Sequence, residues 1–463
     1  MNHDHPNNNQ LPSYITGAVP NPLSNRAPWT KNTAPTYAGI FLWFVFWLGA
    51  TQAPNAGGVL SHGVWAAVLS LALAALICYL FYYVVMGILG MKTGLPLYIV
   101  GTSTFGAKGG FIMPGFLMGI LQFGWLGVNI NFSSTALAAA FPSISPSIIM
   151  IIWGVLAAFM GLKGIQYVAK IATYLPLIPL VALIVMFAKT AGGLATFKPD
   201  EFIALHKSMV PDAPEALGAL ALVAFIITYV VGFFATAGAA GTDFGTNSRD
   251  ERDVHLGGFV GVTIAIIFTA GMAMLILAGA YGTAEYASQI KSSGKFVDNA
   301  FGLLNLVMGN EAGKWIGILL ALSAFPSACF SSLIAANSFK TTLSKVNPFV
   351  SVGIGTAVSI LLAVSGKAAG LIPIFNVIGA SFGPICGAMA VDYIMAGCKW
   401  AGPRAGFNAA GWLAWGFGFI VGIMPNLGLP LMAAPFWAMV VGAVVYFICA
   451  KAGLESPVVP LRK

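Results

Sequence analysis

Residues Gly109–Phe141 read GGFIMPGFLMGILQFGWLGVNINFSSTALAAAF. At ~1.5 Å of rise per residue this stretch is long enough to cross a bilayer as a helix. It carries no charged side chain. Its apolar run is broken in the middle by Gln122-Phe123-Gly124-Trp125, then by Asn129 and Asn131. An amide and an indole therefore fall near mid-membrane. Gln122 and Trp125 are three apart and share a helix face. An amide facing lipid costs several kcal/mol, so this face looks into the protein. An indole beside an amide can stack on a flat ring and hydrogen-bond its edge. The same pair serves equally well to hold two membrane helices together.

Composition extends this reading to the whole chain. Of 463 residues 58% are hydrophobic and 8% charged, and the mean hydropathy is +0.86. A soluble domain could not make its surface polar from such a sequence. The chain is an all-α polytopic membrane protein with about twelve spans. Apolar runs place them at 37–59, 64–90, 110–140, 147–163, 171–189, 216–241, 257–283, 313–336, 349–366, 370–397, 409–425 and 430–450. Residues 1–36 are polar, Asn- and Pro-rich and lack an apolar h-region. They are expected to form a disordered cytoplasmic arm rather than a cleaved leader. The cysteines are scattered with no CxxC pair, so no disulfide framework or zinc site is implied.

Basic residues set the expected orientation. With the N-terminus inside, seven lysines fall in outer segments: Lys189, Lys198, Lys207, Lys291, Lys295, Lys314 and Lys367. The remaining fifteen of the 22 Lys and Arg, including every arginine, fall in inner ones. The positive-inside rule then puts both termini in the cytoplasm of a cell (inner or plasma) membrane. The net charge of +8 follows from this bias and needs no nucleic-acid partner.

Two spans are interrupted by helix breakers. The first reads FWLGATQAPNAGG, with Gly49, Pro54, Gly57 and Gly58. The sixth reads VVGFFATAGAAGTDFG, with Gly232, Gly238, Gly241 and Gly245. Freed backbone groups in a membrane must line a cavity or be buried in protein. Paired interruptions at corresponding places of two halves point to an inverted-repeat transporter. The organisation expected is residues 37–190 as a first five-span repeat, 191–398 as a second, 399–451 as two further spans, and 452–463 as a cytoplasmic tail.

The acids exclude some chemistries. No Asp or Glu falls at the middle of a predicted span, so neither a buried carboxylate proton relay nor a central carboxylate for a cationic substrate is expected. Asp243 ends the sixth span, in a structural or gating role. No HExxH or GxSxG occurs, so an enzyme is not expected. No filter-like carbonyl motif suggests a channel. The eighth span reads ILLALSAFPSACFSSLIAANSF, with Ser323, Ser327 and Ser331 along one face and Pro326 freeing a carbonyl. Such hard oxygens suit a small cation. Serines that bond back to their own helix explain the pattern as well.

Three stretches carry a family likeness. Leu89–Ile130 includes the connection Thr104-Phe105-Gly106-Ala107-Lys108-Gly109 and the QFGW core. Ala237–Asp250 reads AGAAGTDFGTNSRD, and Gly383–Met395 reads GPICGAMAVDYIM. Together they resemble the nucleobase–cation symporters, the family of cytosine/purine, uracil, thiamine, hydantoin and allantoin permeases, and most of all its cytosine and purine–cytosine branch. The resemblance implies a LeuT-like fold of two inverted five-helix repeats with broken first and sixth helices. It implies no cofactor, a Na+ or H+ coupling ion, and a flat, neutral, nitrogen-rich ring as substrate. It implies that the ring is sandwiched between Trp125 and Phe234, with Gln122 reading its edge. Phe233 and Thr236 stand where that branch has small polar residues, and Ser323 where it has an Asn. For the cation, the resemblance implies carbonyls of Phe46 and Gly49, with Ser323 and Ser327. One hydroxyl of the eighth-span pair is replaced by Pro326. The expected function is import of a cytosine- or purine-type base. The alternatives are another small heterocycle (allantoin, a hydantoin, a vitamin-like pyrimidine or a pyridine) and, further off, an amino acid.

Overall fold

The computed structural model describes residues 11–42, 55–163, 174–297, 300–343 and 345–461, the side chain of Thr341 excepted. We label the long helices α1 (Thr33–Phe41), α2 (Gly63–Thr93), α3 (Phe111–Ala140), α4 (Pro146–Lys163), α5 (Leu177–Ala195) and α6 (Ala219–Ala239). They continue as α7 (Glu251–Gly282), α8 (Asn310–Thr342), α9 (Pro348–Val364), α10 (Leu371–Met395), α11 (Ala409–Leu427) and α12 (Ala434–Lys451). Ten of these are long and apolar enough to cross a membrane, and α9 is a shorter apolar helix. Apolar residues surround most of them, so their backbones are satisfied internally while their outer faces meet hydrocarbon. The limits of α2 to α12 fall close to the runs read from the sequence.

The helices sort into two groups. α1, α2, α6 and α7 pack on one another, and α3, α4, α8 and α9 on one another, while α10 lies against α6 and α12. Helices five apart in order echo each other. α2 contains a π-turn at Cys78–Tyr83 and α7 one at Phe259–Ile264. Each group therefore draws equivalent helices from both halves of the chain, as an inverted repeat requires.

The expected interruptions are realised unevenly. Residues 43–54, which include Gly49 and Pro54, lie outside the described residues. Gly57 and Gly58 follow with φ of +77° and +51°, a left-handed turn that glycine adopts without strain. α6 runs unbroken past Gly232 and Gly238 and steps at Ala240 into a short turn, Gly241–Gly245. Its interruption thus sits at its end rather than at its middle. Gly232 serves close packing instead: a Cβ there would lie 2.7 Å from both the Cβ and the carbonyl oxygen of Phe375 on α10.

The N-terminal arm differs from expectation over residues 11–36. These are folded against the loops beside both termini, which we call the terminal face. The Tyr14 hydroxyl donates to the Ala107 carbonyl, and its ring rests 4.9 Å from that of Phe111. Asn21 N–H donates to Gly94 (2.8 Å), and Arg26 Nη1 to the carbonyls of Met91 (2.7 Å) and Ser248 (3.3 Å). The Trp29 N–H donates to Asp253 Oδ1 (3.1 Å). A polar segment with little apolar surface is held here by satisfying backbone groups of its neighbours, a signal that composition does not carry.

The same face holds a buried ion network. Asp392, near the end of α10, accepts from Ser103 Oγ (2.6 Å), Thr104 Oγ1 (2.9 Å) and Arg404 Nη2 (3.0 Å). Arg404 also donates to the Ser103 carbonyl (2.8 Å) and to Glu455 Oε1 (2.6 Å), which accepts in addition from the Tyr446 hydroxyl (2.8 Å). The network ties the α2–α3 loop, α10, α12 and the chain after α12 into one layer.

Candidate substrate site

The central polar and aromatic residues come from α3 and α6. Gln122 and Trp125 sit one turn apart on α3, and Phe233, Phe234 and Thr236 lie within four positions on α6. Trp125 faces α6: its indole N–H donates to Thr236 Oγ1 at 3.1 Å. Phe233, three residues before Thr236, stands edge-on to Trp125 at 5.0 Å between ring centroids and 80° between planes. Gln122 is 6% exposed, and its amide nitrogen lies 3.6 Å from the Met118 sulfur. That contact is a weak use of a strong donor. A ring with a carbonyl or aza edge would replace it to advantage.

Phe234 lies elsewhere. Successive residues on a helix point ~100° apart, so Phe233 and Phe234 cannot both face Trp125. Phe234 is fully buried against Tyr37 and Phe41 of α1, at 5.8 Å from each. Among the described residues Trp125 thus meets the ring of Phe233, where the family likeness had pointed to Phe234. Sequence reading missed a third ring. Phe375 of α10 is fully buried, 5.7 Å from Trp125, 5.8 Å from Phe233 and 5.0 Å from Tyr229. An aromatic in a helix that is apolar all round has no periodic signal to single it out.

The second polar group on α3 is used for packing. Asn129 donates to the Ala324 carbonyl on α8 (3.1 Å) and accepts from Trp153 Nε1 (3.3 Å) and Ser133 Oγ (3.4 Å). On α8, Ser323 is half-buried and donates to the Leu320 carbonyl one turn back (2.7 Å), while Ser327 is exposed. Phe46 and Gly49, whose carbonyls complete the expected cation set, lie outside the described residues. Among the described residues no group of three or more His, Cys, Asp and Glu is placed to hold a metal ion.

Asp243 is half-buried at the terminal end of α6, beyond the span itself, and accepts from the Leu97 N–H at 3.0 Å. Burial pushes its carboxyl up to about 6, and the Leu97 bond opposes the rise. Two surface clefts, of about 360 and 320 Å³, lie away from the centre. One is between Tyr14 and Tyr98, the other around Glu285 and Asn310.

Known proteins bear on this geometry at three levels. Residues 19–449 match the family model described as permease for cytosine/purines, uracil, thiamine, allantoin. A cytosine permease of Escherichia coli K12 is 26% identical over 204 residues, a match covering 43% of each chain. The same likeness recurs for the cytosine permease of Escherichia coli O157:H7. The aligned part is thus under half the length of those relatives. Among solved structures, the inward-facing conformation of Mhp1 superposes with a TM-score of 0.70 at 14% identity, covering 96% of both chains. A Na+-coupled sialic acid symporter superposes at 0.61 and 12% identity, covering 97% of this chain and 93% of that one. At such identities these likenesses speak for the fold.

Proposed function

Because this chain belongs to the family of permeases for cytosine/purines, uracil, thiamine and allantoin, we propose that it is a secondary symporter that imports a neutral, cytosine- or purine-type nucleobase with a monovalent cation. The observation that carries the substrate class is the pairing of Trp125 and Phe233 with the Gln122 amide one turn away. Aromatic faces hold a flat ring by stacking worth ~1–3 kcal/mol per base in single-strand binders. One amide supplies both a donor and an acceptor for the ring edge. No charged side chain belongs to this cluster, which matches a neutral substrate. The relative named above is a cytosine permease. Phe233 and Ser323, bulkier and shorter in turn than the branch's usual residues, shape the rim against one particular base.

Transport proceeds by rocking the group of α1, α2, α6 and α7 against that of α3, α4, α8 and α9 about the central cluster. One reading of the cation is sodium, held, as the family likeness implies, by Phe46 and Gly49 carbonyls with Ser323 and Ser327. A proton is the other reading, and Asp243 is the observation behind it: desolvation pushes this half-buried carboxyl up to about 6, toward the physiological range.

The test is a tryptophan-fluorescence titration of purified protein with cytosine, adenine, hypoxanthine, uracil, allantoin and thiamine, with and without sodium. Saturable binding of one base, lost in Trp125→Ala, is expected. Tightening by sodium identifies the ion; tightening by acid alone, abolished in Asp243→Asn, identifies the proton. A folded protein that binds none of these rings contradicts the proposed substrate class.

A further inference from the structure

Charge is shared unevenly between the two groups of helices. No Asp or Glu occurs between residues 5 and 199 or between 312 and 391. The group of α3, α4, α8 and α9 therefore holds a single acid, Glu311, in the first turn of α8. Its cations collect at the opposite end, on the terminal face. Lys163 is in the last turn of α4 and Lys340 in the last turn of α8. Lys345 lies in the short connection from α8 to α9. All three are exposed. Among the described residues none of them makes an ion pair, whereas the acids at the start of α7, in the other group, pair with Lys92 and Arg249. The positive-inside bias accounts for the end at which these lysines stand, but not for the lack of any carboxylate beside them. The lysines also border one seam. Lys163 Nζ lies 5.5 Å from the ring centre of Phe349, the second residue of α9, and 6.0 Å from that of Phe159 on its own helix. The chain reaches Phe349 four residues after Lys345 and nine after Lys340. All three cations therefore stand at the same end of the α4–α9 seam. The surface next to them is apolar, since Phe159, Phe349 and Val350 are exposed. In a bilayer such side chains meet hydrocarbon, and lysines at helix ends extend to the headgroups.

We propose that the terminal end of the α4–α9 seam is a binding surface for an anionic phospholipid. Lys163, Lys340 and Lys345 take the headgroup phosphate, and the acyl chains lie along Phe159, Phe349 and Val350. Unopposed cations select an anion, and the apolar surface continuous with them selects one that carries hydrocarbon, so the occupant is a lipid of that leaflet rather than a soluble phosphate. The proposal rests on the membrane-spanning fold and is independent of which substrate the centre takes.

The experiment compares wild type with two triple variants as full-length purified chains in detergent. Native mass spectrometry reads the retention of added dioleoylphosphatidylglycerol or dioleoylphosphatidylcholine, and unfolding midpoints are recorded. The first variant combines Lys163→Gln, Lys340→Gln and Lys345→Gln. The second removes the same charge elsewhere on the terminal face, through Lys31→Gln, Lys399→Gln and Lys451→Gln. Wild type should hold phosphatidylglycerol about five-fold or more tighter than phosphatidylcholine. The first variant should lose about ten-fold or more of its affinity for phosphatidylglycerol, and the second less than about two-fold. Should the first variant fail to fold, Lys163→Gln alone decides, with a loss of about five-fold expected. Equal affinity in wild type and the first variant, an equal loss in both variants, or no preference of wild type for the anionic lipid overturns the proposal. Displacement of the lipid by an equal concentration of glycerol 3-phosphate would mark a site for a free anion, and overturns the lipid as occupant.

Discussion

Gln122 is spent on a sulfur acceptor in this structure, so its substitution reads out on substrate rather than on stability. Gln122→Ala should weaken binding of the accepted base by about 1–3 kcal/mol, the cost of leaving a buried polar group unpaired. The unfolding midpoint should barely change. An unaltered affinity removes Gln122 from the site. Asp243 behaves oppositely. Its folded value, about 6, lies above its ordinary 3.8, so the folded chain favours the protonated acid. Stability is then greatest below the ordinary carboxylate range and falls as pH rises through about 6. Roughly 3 kcal/mol is at stake across that window. Asp243→Asn keeps the acceptor for Leu97 and removes the charge. It should raise the unfolding midpoint at pH 7.5 and flatten the pH profile between about 4 and 6. Identical profiles would show that Asp243 does not ionise inside the fold. The Gln122–Trp125 pair was legible because helix spacing puts both on one face. The choice of Phe233 over Phe234 was not, because two adjacent aromatics differ only in the rotation of α6, which its neighbours set.

At the scale of elements, eleven apolar runs are helices near their read limits among the described residues, because runs this apolar have no soluble alternative; most of the first run lies outside those residues. The contacts across the terminal face were not legible. Asp392 and Arg404 are twelve apart, and Glu455 lies far along the chain. The available hint was that a carboxylate close to an apolar run needs a cation. Removing one partner should show the cost. Arg404→Ala leaves Asp392, 3% exposed, uncompensated, and should destabilise by about 3–5 kcal/mol. Adding Asp392→Asn should recover part of the loss in the same thermal melt, and a double variant no more stable than the single one would refute the pairing. The arm is the second such element. Arg26→Ala removes three hydrogen bonds from a charged donor, to the carbonyls of Met91, Ser248 and Asn21. Faster hydrogen exchange is expected at 91–94 and 246–249, and unchanged exchange there would mean that the arm does not hold these loops.

For the molecule as a whole, the repeat shows in the grouping of helices from both halves of the chain, α2 with α6 and α7, and α3 and α4 with α8 and α9. The proposed orientation has its own probe. Cys398 lies exposed in the loop after α10, while the other four cysteines are buried. With that face in the cytoplasm, a membrane-impermeant maleimide should label Cys398 only after cells are opened. Labelling of intact cells would invert the topology. The central claim is that this fold uses a cation gradient to move a neutral base. The most direct measurement is uptake of the tightest-binding base into proteoliposomes with an imposed inward sodium or proton gradient as the sole energy source. Accumulation above the external concentration, collapsed by the matching ionophore and absent with Trp125→Ala, is the predicted result. Uptake that only equilibrates, whichever gradient is imposed, would contradict symport.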